Sequence, residues 1–236
     1  MTSGLWGAAA AVVLSLAVAS PAAGQVLTRK RVRQDVPRTG SWEISAGAVW
    51  LAAFDLEDRT AELTRNSSTD TSPFEQFTTT SRLDSAIGVQ ARLAYYLTRS
   101  VAIEAGARYA KPTLAVRITG DAEQAADVTA EESVSHYLFD GSVVLHLRQL
   151  SFASGRAVPF LAVGGGYVRE LHEGDELVET GTEFHAGAGL KFLSRPGPRR
   201  SGLRVDVGIS SREGGLDLAD RRSTQTFAGV SLLYLF

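Results

Sequence analysis

Alternation of apolar and polar residues dominates the chain from Ser41 to Phe236. In residues 42–50, for example, Trp42, Ile44 and Trp50 fall on one side, and Glu43 and Ser45 on the other. Successive side chains of a β-strand point to opposite faces, so a period of two predicts strands. The pattern recurs in eight segments, which are 42–50, 83–96, 101–109, 136–147, 161–167, 183–192, 203–210 and 225–236.

Two all-β folds fit this alternation. A soluble barrel has an apolar interior, whereas a membrane barrel turns its apolar face outward to lipid and its polar face inward. One face of the segments is apolar throughout, from Trp42 and Leu83 to Phe236; the other carries charges, including Asp84 and His146, mixed with glycine and serine. We expect the charged residues to form a network of ion pairs in a narrow lumen; they are Glu43, Arg92, Glu104, Arg108, Asp140, Glu183, Lys191, Arg204 and Asp206.

The spacing of aromatic residues favours the membrane barrel. Trp42 and Trp50 are eight residues apart, as are Phe184 and Phe192. At about 3.3 Å per residue and a tilt near 40°, eight residues rise roughly 20 Å, close to the separation of the aromatic girdles on an outer-membrane barrel. The predicted girdle residues are Trp42, Trp50, Tyr95, Tyr109, Tyr137, Tyr167, Phe184, Phe192 and Tyr234. The sequence thus predicts an eight-stranded antiparallel up-and-down transmembrane β-barrel over residues 41–236.

The N-terminal residues predict export. An apolar stretch from Leu5 to Ala19 precedes the small residues Ala22 and Gly24, which fits a signal peptide over residues 1–24 that is cleaved before Gln25. No Lys or Arg precedes the apolar stretch, so an uncleaved anchor helix is the alternative. Residues 25–40 are basic and lack periodicity, and we expect them to be a periplasmic lead-in.

Charge distinguishes the two ends of the predicted barrel. An even number of strands places both termini on the periplasmic side, so loops at 55–81, 120–130, 171–178 and 213–222 would face outward. These loops are acidic, whereas the turns at 98–100, 148–156 and 194–202 contain arginine and no Asp or Glu. Basic turns suit the anionic phospholipid of the inner leaflet. The acidic loops either contact lipopolysaccharide through divalent cations or are simply solvated.

The segments FLAVGGGYV and FHAGAGLKF and the ending FAGVSLLYLF resemble the small outer-membrane barrels of the OmpA/OmpX-type and opacity-type family. The resemblance covers about residues 41–236. It implies that the C-terminal strand is recognised by the barrel-insertion machinery through an assembly signal, carried by Val230, Leu232, Tyr234 and Phe236.

Little in the sequence points to catalysis. The net charge of −2 provides no field that would attract nucleic acid, and cysteine is absent. Of four histidines, three fall on the inward face, and His172 lies in an acidic loop that is either a cation site or solvated. We therefore expect no catalytic residues, metal or cofactor, and a non-enzymatic structural or surface-interaction role. The alternatives are a small porin or a conduit for apolar solutes and, less favoured, a lipid A-modifying enzyme.

Overall fold

The computed structural model describes residues 37–56, 58–64, 72–123, 125–172, 177–194, 200–214 and 223–236. The predicted signal peptide and residues 25–36 of the lead-in lie outside the described residues. Within them, no helix has the length and apolar character needed to cross a membrane. A short 3-10 helix spans Arg148–Leu150. The strands are β1 (Trp42–Leu51), β2 (Phe54–Asp55), β3 (Arg59–Thr64), β4 (Pro73–Leu83), β5 (Ala86–Tyr96), β6 (Val101–Ala110), β7 (Thr113–Thr119), β8 (Val128–Ser133), β9 (Ser135–His146), β10 (Ala157–Leu171), β11 (Val178–Leu193), β12 (Arg200–Gly214) and β13 (Ser223–Leu235).

Eight strands form a closed antiparallel barrel in the order β1-β13-β12-β11-β10-β9-β6-β5. The first and last strands close it, and the backbone N–H groups of Trp42 and Phe236 each donate to the other residue's carbonyl at 2.9 Å. The up-and-down topology places Trp42 and Phe236 at one end, here named the terminal end, and β2 and β8 at the opposite, loop end. The predicted eight-stranded barrel is thereby confirmed.

The loop end carries a second sheet that the sequence analysis did not predict. Strands β2, β4, β7 and β8 pair in that order, and β3 pairs with β4; we name these five strands the loop-end sheet. Most of the predicted loop 55–81, and the end of the predicted loop 120–130, are thus strand. Residues 78–80 are three consecutive threonines, whose β-branched side chains favour extended backbone.

The predicted position of Leu83 and Asp84 was wrong. Leu83 is 1% exposed and packs with Leu114 and Val134 beneath the loop-end sheet, not on the outer wall. Asp84 is exposed and pairs with Arg82, 3.4 Å away, instead of facing the lumen. The reason is a break in the strand at 84–85, between β4 and β5, where the alternation of the barrel strand does not continue.

The outer wall of the barrel is apolar along its whole middle. Ile87 is 78% exposed, Leu232 73% and Phe184 61%, which is the reverse of a soluble fold. On β10 and β12 the first outward-facing charged residues, Arg169 and Glu213, lie closer to the loop end than the aromatic residues of the outer wall. The wall therefore has the apolar band expected of a barrel surrounded by lipid.

Candidate functional site in the barrel lumen

All nine charged residues predicted for the lumen face inward. Eight are at most 6% exposed, and Asp140 is partly buried. Their side chains come from six of the eight barrel strands, because each strand turns alternate residues inward. Burying this many charges in a narrow space requires pairing, and the structure provides it in three successive layers.

The layer nearest the terminal end is centred on Lys191. Its Nζ lies 2.7 Å from Oε1 of Glu43, and the hydroxyl of Tyr96 donates to Oε2 of Glu43 at 2.7 Å. His146 Nε2 lies 3.3 Å from the same hydroxyl. Tyr96 is 1% exposed, and its hydroxyl contacts all three of these side chains inside the lumen.

The central layer is an ion-pair network between two carboxylates and two guanidinium groups. Glu104 accepts from Arg92 at 2.9 Å through one oxygen and from Arg204 through the other. Asp206 lies 3.3 Å from Arg204 and 3.9 Å from Arg92. Arg204 also lies over the ring of Phe160, 4.6 Å from its centroid, so that aromatic and ionic contacts fill the same level.

The third layer, toward the loop end, is built around Arg212, which the sequence analysis did not assign to the lumen. Its guanidinium bonds Glu170 at 3.1 Å, Glu183 at 3.2 Å and the amide oxygen of Gln225 at 2.7 Å. Gln225 in turn donates to the carbonyl of Ala52 at 2.6 Å. Arg212 thereby links its own strand, β12, to β10, β11 and β13 at the loop end of the lumen.

Glu170 and His136 complete the third layer and were also missed as partners. His136 Nδ1 lies 3.0 Å from Glu170 Oε1, and both side chains are at most 2% exposed. The sequence does contain the signal. Glu170 is in phase with the inward Gly166, and Arg212 with the inward Gly208, so continuing the alternation past the apolar band would have placed both inside.

Between the central and third layers the polar groups are less completely bonded. Arg108 lies 3.6 Å from Glu183 and stacks on the ring of Phe227 at 4.6 Å, and its guanidinium nitrogens have no hydrogen-bond partner among the described residues. Ser142 and His185 form a hydrogen-bonded pair at 2.9 Å. His185 Nδ1 has no hydrogen-bond partner within the described chain.

Glycines on the inner face make room for these long side chains. A Cβ on Gly106 would overlap the carboxylate of Asp140, and one on Gly229 would overlap the amide of Gln90. The run of inward glycines in the sequence is thus explained by close packing rather than by a phosphate-binding loop.

The predicted girdle residues lie on the outer wall at two levels. Trp42 contacts Tyr95 near the terminal end, with ring centroids 4.8 Å apart, and Tyr109 contacts Tyr137 near the loop end at 4.9 Å. Tyr234 and Phe192 belong to the level near the terminal end, which we name the lower aromatic level. Trp50, Tyr167 and Phe184 belong to the level near the loop end, the upper aromatic level. Val230, Leu232, Tyr234 and Phe236 of the proposed assembly signal all point outward and are 40% to 73% exposed.

His172 lies between two carboxylates at the loop end. Its Nδ1 is 3.1 Å from Glu132 and its Nε2 is 3.7 Å from Glu179. The acidic residues at 173–176 lie outside the described residues. Within the part of the chain that the structure describes, no group of three or more His, Cys, Asp or Glu has the geometry of a metal site.

Comparison with known proteins gives matches at the level of structure. No family model matches the chain, and no curated protein matches its sequence. The outer membrane protein OprG from Pseudomonas aeruginosa superimposes with a TM-score of 0.52 at 10% identity, over 85% of this chain and 98% of that chain. Ail, the attachment invasion locus protein of Yersinia pestis, matches with a TM-score of 0.40 at 12% identity, over 84% and 99% of the two chains. The outer membrane protein AlkL, solved in DMPC lipid bilayers, matches with a TM-score of 0.35 at 13% identity, over 93% and 95%.

The match to OprG, together with the closed eight-stranded barrel, confirms the predicted resemblance to small outer-membrane barrels as a resemblance of fold. At 10% identity, the match to OprG carries no information about ligand or activity.

Proposed function

We propose that this protein is a non-enzymatic integral barrel of the bacterial outer membrane, with a structural or surface-interaction role and a lumen closed by ion pairs. The observation that carries the proposal is the filled lumen. Three successive layers of buried charged side chains, centred on Lys191, Arg204 and Arg212, cross the interior of the barrel. An eight-stranded barrel has an interior just wide enough for side chains to fill.

The outer wall supports the membrane location. Its apolar middle lies between two aromatic levels, as on an outer-membrane barrel, and the fold resembles that of the outer-membrane protein OprG. In this orientation the terminal end faces the periplasm, and the loop-end sheet faces outward. Export by a cleaved signal peptide, contact with lipopolysaccharide and recognition of β13 by the insertion machinery belong to the same proposal.

A surface role follows from the loop-end sheet. Its five strands extend the protein beyond the barrel and expose charged and hydroxyl side chains, such as Arg117, Asp127 and Thr129. A protein with a closed lumen acts through the surface that it presents, and this sheet forms part of that surface at the loop end.

Single-channel recording in planar bilayers tests the closed lumen. We expect the purified, folded protein to show no steady conductance of open-pore size, with an open porin as the positive control. The double variant Glu104→Ala/Arg204→Ala removes one cation and one anion from the central layer and leaves Arg92 and Asp206, 3.9 Å apart, to pair with each other. It should show more frequent or larger conducting events. Steady conductance of the unaltered protein, equal to that of this variant, would favour the small porin or conduit instead.

Cell fractionation tests the location. The protein should co-purify with the outer membrane and migrate faster on a gel before heating than after it, as a folded barrel does. Recovery in a soluble fraction, without this heat-dependent shift, would contradict the proposal.

A further inference from the structure

A cavity opens at the terminal end of the barrel, below the Lys191 layer. Its enclosed part has room for about one water molecule, and it opens to solvent at its rim. The inward side chains of Tyr96, His146 and Lys191 form its floor. The rim carries Arg99, from the turn between β5 and β6, and Arg148, from the 3-10 helix between β9 and β10. These two turns are neighbours because β6 pairs with β9.

The cations of the rim differ from those of the lumen. Lys191 is neutralised by Glu43 at 2.7 Å, whereas the Arg99 and Arg148 guanidinium groups form no ion pair with any described residue. Neither turn contains an Asp or a Glu. Burial and the nearby charge of Arg99 both lower the pKa of the Arg148 guanidinium. Two like charges held at one rim repel each other unless an anion joins them.

We propose that the mouth of this cavity binds a phosphate-type oxyanion, held at the rim by Arg99 and Arg148. Guanidinium forks on two separate turns can each engage a different pair of oxygens of a phosphate group, whereas a carboxylate presents a single edge.

Phosphate can reach this position from two sources, a phospholipid headgroup or a soluble compound. Tyr96 on the cavity floor follows Tyr95 of the lower aromatic level, so the cavity lies at the depth of the lipid headgroups. A phospholipid headgroup could therefore reach over the rim, and a soluble phosphate compound could enter from the aqueous side. Only the assignment of this side to the periplasm rests on the proposed function; the binding itself does not.

Nuclear magnetic resonance of the arginine Nε–Hε groups tests the site directly. The full chain is folded in maltoside micelles, which contain no phosphate, and inorganic phosphate is added at constant ionic strength against a chloride control. We expect the Arg99 and Arg148 signals to shift and saturate, while the exposed Arg117 of the loop-end sheet stays unchanged. A parallel sample in phosphatidylglycerol nanodiscs identifies the source. If headgroups occupy the site, both signals begin at their shifted positions and ignore added phosphate; if they begin unshifted and respond, the source is soluble.

Matched variants separate a built site from general positive charge. Arg99→Gln and Arg148→Gln should each weaken phosphate binding about tenfold, because each removes a charge-assisted contact. Arg156→Gln, on the same turn as Arg148 but outside the cavity, should change it less than twofold. The proposal is overturned if neither arginine signal responds in either medium, or if Arg156→Gln weakens binding as much as the rim variants. The phosphate-binding test does not depend on the conductance and fractionation experiments. A failure of the binding proposal can therefore be distinguished from a failure of the proposed function.

Discussion

At the scale of single residues, the lumen depends on charges that are both buried and shared. Arg204 is 1% exposed and contacts Glu104, Asp206 and the ring of Phe160 at once. The sequence predicted which charged residues share the inner face, because alternation decides the face. It could not predict which residues pair, since pairing depends on strand order and register around the closed barrel.

Replacing Arg204 with Met tests how much these shared ion pairs contribute to the free energy of unfolding. The change keeps much of the side-chain volume but leaves Glu104 and Asp206 to share Arg92, so we expect the free energy of unfolding to fall by about 3–5 kcal/mol. Urea titration of the protein folded in lipid vesicles measures it.

The matched control is Arg117→Met, which breaks the pair with Asp127 at 2.8 Å in the loop-end sheet. Both side chains of that pair are about half exposed (60% and 49%), so its loss should change the free energy of unfolding by less than about 1 kcal/mol. Equal effects of the two variants would mean that the lumen pairs are as well solvated as surface pairs.

At the scale of elements, alternation predicted the strands well within the apolar band, where one face is apolar and the other polar. It predicted them poorly beyond the band. β10 was predicted as 161–167 but spans Ala157–Leu171, and β11 and β12 are likewise longer than predicted. Outside the band the outward face turns polar, as at Arg169 and Glu213, so the two faces no longer differ. The loop-end sheet was missed for the same reason.

Close approach between strands depends on Gly189 in β11. A Cβ there would overlap the ring of Phe160 and the carbonyl of Val205, and Phe160 is 1% exposed beneath Arg204, so it has no room to move. Gly189→Val should lower the free energy of unfolding by about 1–3 kcal/mol, through overpacking.

The control for this prediction is Gly141→Ala in β9. Gly141 faces outward with open space around its Cβ position, so the change should stay within about 0.5 kcal/mol. The same urea titration measures the free energy of unfolding of both variants. If Gly189→Val were as stable as the control, the inner packing described here would be incorrect.

At the scale of the whole molecule, the polarity is the reverse of that in a soluble fold. Phe184 and Ile87 are exposed, while Glu183, Lys191 and Arg204 are almost fully buried. Such a surface is stable in hydrocarbon and unstable in water, because apolar area exposed to water is unfavourable. The sequence left a choice between a soluble and a membrane barrel, and the apolar outer wall favours the membrane barrel. The distribution of polar and apolar side chains therefore determines whether the protein is surrounded by lipid or by water.

One substitution on the outer wall tests this choice. Val163 lies on the outer face of β10, is 61% exposed, and is paired with Val143 and Ala186 in the middle of the apolar band. In a bilayer, Val163→Arg places a charge in hydrocarbon and should lower the free energy of unfolding by about 2–4 kcal/mol. Val128→Arg is the control, because Val128 is similarly exposed, at 58%, but lies on the loop-end sheet outside the band, where the cost should be below about 0.5 kcal/mol. A barrel that is soluble would tolerate arginine equally at both positions, so equal stability of the two variants in phospholipid vesicles would contradict the membrane assignment.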